Sequence, residues 1–295
     1  MTEIFGVPTQ ALFGQLLLGL INGSFYALLS LGLAVIFGLL NIINFTHGAQ
    51  YMMGAFVAYL LLNKLGLGYW WALAIVPVVV GATGVVIERL MLSRLYQLDH
   101  LYGLLLTFGL ALIVQGLFRN EYGSSGQPYA IPRQLTGGQN LGFMFLPNYR
   151  AWIIGASLVV CLTTWFVIER TRLGAYLRAA TENPQLVQAF GINVPRMVTL
   201  TYGFGVALAA LAGVMAAPIY QVSPQMGADL IIVVFAVVVI GGMGSILGAI
   251  VTGFGLGLIE GLTKVFYPEA SNTVIFIIMA IVLLIRPAGL FGAQK

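Results

Sequence analysis

The chain opens with sixty residues, Ile4 to Asn63, that contain no Asp, Glu, Lys or Arg. A bilayer core takes about 20 mostly apolar residues of helix, so this stretch holds two crossings joined by an uncharged turn. Over all 295 residues, 60% are hydrophobic and 7% are charged, against about 25% charged in an ordinary globular chain. Glycine is abundant at 37 residues, and small residues let membrane helices approach closely. These features predict an all-α fold, a polytopic transmembrane helical bundle. A net charge of +4, dispersed along the chain, excludes a nucleic-acid surface. The single cysteine, Cys161, lies in an apolar segment and reads as a small buried hydrophobe. The opening MTEIFGVPTQ lacks a basic n-region, so a cleaved signal peptide is not expected.

Apolar runs predict spans near Gln10–Leu39, Phe45–Leu62, Tyr69–Ile87, Tyr102–Phe118, Ala151–Ile168, Val198–Ala217, Ile246–Val265 and Val274–Ile285. A ninth run, Leu230–Ile240, is too short to cross alone and is followed by Gly241, Gly242 and Gly244. The expectation is eight or nine spans, with one short or broken segment near 230–244, since broken backbone at membrane depth survives only against protein or a cavity. Arg89 and Arg94 follow the third span, and Arg170, Arg172, Arg178 and Arg196 follow the fifth. The positive-inside rule puts both groups in the cytoplasm. Residues Arg119 to Arg150 then lie outside, and the C-terminus, with Arg286 and Lys295, lies inside.

The longest polar stretch on the cytoplasmic side, Glu169 to Arg196, carries its own helix signals. Asn183 is a capping residue, Pro184 suits the first helical position, and Gly191 can take positive φ and end the helix. Leu186, Val187 and Phe190 form an apolar stripe on the two turns between. A helix this short is marginal in water. It either packs on the membrane ends of its own chain or enters a groove on a cytoplasmic partner. Arg172 and Arg178 can bridge to that partner or to anionic lipid.

With these motifs the chain resembles a known family, the permease subunits of ATP-driven importers of branched-chain amino acids. Residues 19–56, GLINGSFYALLSLGLAVIFGLLNIINFTHGAQYMMGAF, are similar to the family's opening pattern, and residues 169–194 to its cytoplasmic pattern. GGMGSILGAIVTG at 241–253 resembles its late glycine-rich pattern, and RPAGLFG at 286–292 its terminus. Arg172, Gly174, Arg178, Ala179, Asn183, Ala189, Gly191 and Ile192 fall on matching positions. The resemblance implies one permease domain, 1–295, with a coupling loop at about 169–197 that contacts an ATP-hydrolysing subunit. It also implies two permease subunits assembled with two ATP-binding subunits, a periplasmic binding protein that delivers substrate, and a place in the bacterial inner membrane. Leucine, isoleucine and valine are the implied substrates. Relatives that carry urea, short amides or other amino acids stay open as alternatives.

No enzyme is expected. GGMGSILG, Gly241–Gly248, lacks the lysine of a phosphate-binding loop. Two histidines, His47 and His100, and one cysteine offer no metal site. The chain is therefore expected to bind no cofactor of its own, with ATP used by partner subunits.

Polar residues within spans are costly and point to function. Asn22 and Tyr26 share a helix face at i, i+4, and Asn41, Asn44, Thr46, His47 and Gln50 follow the first span. Glu260 lies late in the span Ile246–Val265, with Lys264 one turn on, as a salt bridge or as a polar step for a passing zwitterion. Candidate passage residues are Asn22, Tyr26, Asn44, His47 and Glu260, although His47 reads equally as a lock on the turn after the first span. Glu88, beside Arg89, reads as an interfacial pair. Gly241, Gly242 and Gly244 are candidates for a hinge. An ATP-independent secondary transporter, disfavoured by the few buried acids and the docking stripe, and a membrane scaffold, disfavoured by the polar residues of the first span and of Ile246–Val265, are the competing classes.

Overall fold

In a computed structural model, the described residues are 3–4, 6–40, 43–142 and 144–292. Asn41, in the expected turn, and Lys295, in the expected cytoplasmic tail, lie outside them. Eleven α-helices are described: α1 (Thr9–Leu40), α2 (Thr46–Leu65), α3 (Tyr69–Leu90), α4 (His100–Tyr122), α5 (Asn148–Arg170), α6 (Arg172–Glu182), α7 (Pro184–Ala189), α8 (Val194–Ala216), α9 (Met226–Gly241), α10 (Ile246–Phe266) and α11 (Val274–Ile285). Two small antiparallel hairpins, Glu3–Ile4 with Val7–Pro8 and Gly138–Asn140 with Phe145–Pro147, are the only sheets among the described residues.

Six helices are long and apolar enough to cross a membrane: α1, α3, α4, α5, α8 and α10. The short run at 230–240 begins earlier than its hydropathy shows. Asp229, Gly227 and Met226 all belong to α9, whose 16 residues span about 24 Å at 1.5 Å per residue.

Polar side chains set several boundaries. Asp99, Asn183, Asn193 and Ser245 accept backbone N–H groups in the first turns of α4, α7, α8 and α10. These bonds satisfy donors that a helix start leaves without partners. Gly66 ends α2 at φ 65°, and the bonds Gly66 N–H to Leu62 O and Leu67 N–H to Leu61 O close the end.

The chain forms two compact units. Unit 1 comprises residues 1–30, 131–162 and 233–295, and unit 2 comprises 31–130 and 163–232. In unit 1, α10 lies on the first part of α1 through glycines. A Cβ at Gly257 would collide with the Gly19 carbonyl oxygen, and one at Gly253 would sit 2.6 Å from the Cα of Ala27. In unit 2, α8 is the central element, packed on both α2 and α3. A Cβ at Gly54 would collide with Ala210 O, and one at Gly213 with Tyr51 O. Both units thus use small residues to bring backbones together, the usual substitute for hydrophobic drive where the solvent is lipid.

Candidate functional site

The polar stretch of unit 2 is more ordered than its sequence suggests. After α5 ends at Arg170, α6 turns back sharply at Gly174, where a Cβ would run into Ile168 O. No larger residue fits there. Arg178 Nη1 donates to Ile168 O at 3.1 Å and meets Glu169 Oε2 at 3.4 Å, so this arginine holds α6 onto the end of α5. Arg172 lies on the exposed side. Gly174, Leu177 and Ala180 are the buried line of α6, at the spacing of an amphipathic helix. Sequence reasoning did not predict α6, although this spacing is its signal.

Next, α7 forms as its sequence dictates. Asn183 Oδ1 accepts from Leu186 N–H at 3.0 Å, Pro184 occupies the first turn, and Gly191 takes φ 82°. The expected stripe divides. Val187 is 6% exposed and packs with Ala180 and Val194, backed by Ile192, Met197 and Val198. Leu186 and Phe190 are 54% and 77% exposed. The reason is tertiary: Ala180 and Val194 cover the Val187 side of the helix and leave Leu186 and Phe190 open. One residue therefore anchors the helix, and two are presented outward.

Beside α7 opens a cleft of about 1110 Å³, lined by Gln188, Asn193, Arg196, Arg89, Asp99 and Glu88 among others. Glu88 does not pair with Arg89. It turns inward and accepts a 2.5 Å hydrogen bond from the Tyr96 hydroxyl. Burial, and then this bond, hold the Tyr96 proton well above the usual tyrosine range. Asn44, Thr46, His47 and Gln50 are also buried in unit 2, at the start of α2. A Cβ at Gly32 would sit 2.9 Å from His47 Cε1, so the imidazole lies close against the α1 backbone.

Unit 1 brings together three of the expected passage residues. Glu260 accepts from Asn22 Nδ2 at 3.2 Å and from the Tyr26 hydroxyl at 2.7 Å, and it pairs with Lys264. The carboxylate is thus occupied on both oxygens. The glycines also sit in unit 1: Gly242 and Gly244 take φ 102° and 85°, and Leu290 and Phe291 donate backbone N–H groups to Ile240 O and Gly241 O. This turn is tied to the C-terminal segment. Among the described residues, no group of three or more His, Cys, Asp and Glu is placed to hold a metal ion.

A bundle of at least six membrane-length apolar helices, with several polar side chains buried among them, defines a polytopic membrane protein. Residues 15–283 match the family described as branched-chain amino acid transport system / permease component, and the chain belongs to that family. It is 30% identical to the high-affinity branched-chain amino acid transport system permease protein LivH of Escherichia coli (strain K12), over 100% of this chain and 99% of that protein. It is 31% identical to the corresponding protein BraD of Pseudomonas aeruginosa, over 95% of this chain and 96% of that one. Identity to the permease protein LivM of E. coli is 28%, over 92% of this chain and 68% of LivM. No solved structure matches the chain. The protein is a transport permease rather than an enzyme.

Proposed function

We propose that this chain is a membrane-spanning permease subunit of an ATP-binding-cassette importer in the bacterial inner membrane. It carries branched-chain amino acids delivered by a periplasmic binding protein. Its partners are a second permease subunit and two ATP-binding subunits. Residues 1–295 act as one permease domain in which α2, α9 and α11 join the six long helices as nine crossings. That count leaves the arginine-rich segments after α3 and α5 on one face, as the positive-inside rule requires.

The observation that carries the reading is α7. It is capped at one end, stopped by a glycine at the other, and anchored by Val187, with Leu186 and Phe190 turned outward. A rigid helix presenting two large apolar side chains suits insertion into a groove on an ATP-binding subunit. ATP-driven motion then passes from α7 to α8, because only Phe190–Asn193 separate them. The glycine turn at 241–244 is the pivot we assign to that motion. The passage is assigned to Asn44, His47, Asn22, Tyr26 and Glu260, with Glu260 serving chiefly to hold its neighbours, since both its oxygens are engaged.

The double variant Leu186→Asp, Phe190→Asp tests this in the intact complex. It is expected to insert normally and to lose the co-purifying ATP-binding chains and uptake together. Undiminished association would break the assignment. Gly244→Leu is expected to abolish uptake, and uptake at the parental rate would remove the pivot. For topology, single cysteines at Asn140 and Thr181 are expected to label from opposite faces of the membrane. Competition of leucine uptake by urea and short amides separates the substrate reading from its alternative.

A further inference from the structure

The backbone between α1 and α2 leaves the helix at Ile43 and Asn44, and a side chain from α4 meets it there. That side chain is Thr107, seven residues after His100, where α4 begins. At 1.5 Å per residue it stands about 10 Å inside the end of its helix. Because α4 is of membrane length, the junction lies at a depth where non-helical backbone survives only against protein or a cavity. Asn44 and Thr107 are both 0% exposed.

The Thr107 hydroxyl touches the peptide groups on both sides of the Asn44 Cα. Its oxygen accepts Phe45 N–H at 3.2 Å and lies 3.1 Å from Ile43 O, to which it can donate. The two peptide planes meet at that Cα, and their relative orientation is set by its φ and ψ. One hydroxyl bound to both therefore restrains that pair of angles. Leu104 O, 3.0 Å away in the same helix, competes for the hydroxyl proton, as carbonyls commonly do for a helical threonine. The bond from Phe45 N–H does not depend on which carbonyl takes that proton. Gly103 and Thr107 are the buried residues of α4, so Thr107 is the buried polar side chain of this helix. Its neighbour Phe108 meets the Phe45 ring edge-on at 5.8 Å. Asn44 in turn leads into α2: its carbonyl oxygen accepts His47 N–H at 3.3 Å, and its side-chain oxygen accepts the Thr46 hydroxyl.

We propose that Thr107 is a positioning residue for transport. It fixes the backbone of Asn44 at the buried junction of α1 and α2, and so sets where Asn44 and His47 stand. The proposal rests on the assignment of those two residues to the passage.

The test compares Thr107→Val, which keeps the shape and removes the hydroxyl, with Thr107→Ser, which keeps the hydroxyl, in the intact complex in membranes. Amide hydrogen exchange reads the contact without reference to transport. The peptide holding Phe45 is expected to exchange at least about fivefold faster in Thr107→Val, the loss of roughly one hydrogen bond, and at the parental rate in Thr107→Ser. Maximal uptake per assembled complex is expected to fall at least about fivefold in Thr107→Val with KM unchanged, and to stay within about twofold of parental in Thr107→Ser. Once Asn44→Ala has lowered uptake, adding Thr107→Val is expected to lower it less than about twofold further, because the two act as one unit. Parental exchange in Thr107→Val overturns the contact. Faster exchange with parental uptake, or a full further loss on top of Asn44→Ala, overturns the positioning role. Parental uptake in Asn44→Ala breaks the passage assignment, whereas impaired Asn44→Ala beside parental Thr107→Val breaks this proposal alone. Should Thr107→Val fail to assemble, Thr107→Ala takes its place in the same measurements.

Discussion

Two buried carboxylates show two ways of placing an acid inside a membrane protein. Glu260 in unit 1 has a cation one helical turn away and two further donors from α1, so each oxygen is engaged. Glu88 in unit 2 has one donor, Tyr96, and an oxygen left to other partners. The first arrangement is closed: it fixes α1 on α10 at a level where glycines have already brought the backbones together. The second is open, beside a cleft, with one oxygen not engaged by a side chain. A saturated cluster holds helices in place. Desolvation of the carboxylate is severe in both places, and only the first answers it on both oxygens.

Substitutions can break this contrast. The largest effect is expected for Lys264→Met, which leaves a buried carboxylate without its cation. Such a loss costs about 3 kcal/mol, the lower end for buried pairs, because Lys264 keeps some exposure. Thermal unfolding in detergent should show it, and Glu260→Gln added to Lys264→Met should restore most of the loss. Tyr26→Phe removes one donor to Glu260 and is expected to cost about 1–2 kcal/mol. Glu88→Gln orphans no cation and keeps an acceptor for Tyr96, so its cost should stay below about 1 kcal/mol by the same assay. A larger loss from Glu88→Gln than from Lys264→Met would reverse the comparison. The smallest effect on stability is expected for Phe190→Asp, within about 0.5 kcal/mol, because that side chain touches little of its own chain. Its effect should appear instead in association with the ATP-binding subunits.

Much of the extramembrane segment was legible because its signals are local. Asn183, Pro184 and Gly191 fix α7 through bonds that span a few residues. The bond between Glu260 and Lys264 was legible for the same reason, since residues four apart on a helix are neighbours. The division of the apolar stripe was not, because which side of α7 is covered depends on where Ala180 and Val194 lie. Nor was the inward turn of Glu88. Its neighbour Arg89 suggested an ion pair, yet adjacent residues on a helix point about 100° apart, and the partner proved to be Tyr96, eight residues on.

By itself the sequence determined that this protein lives in a bilayer, because sixty uncharged residues and scarce charge elsewhere have no other stable solvent. It also determined the ends of several helices and the presence of a short, capped helix in the polar segment, since caps, stops and periodicity act over one or two turns. The tertiary structure alone decided how the polar residues are grouped. Asn22 and Tyr26 reach Glu260 across 238 and 234 residues of chain, and the Thr107 hydroxyl on α4 reaches Ile43 O and Phe45 N–H ahead of α2. Hydrogen bonds need atoms within about 3 Å, and only the packing of glycine-lined helices sets which atoms come that close.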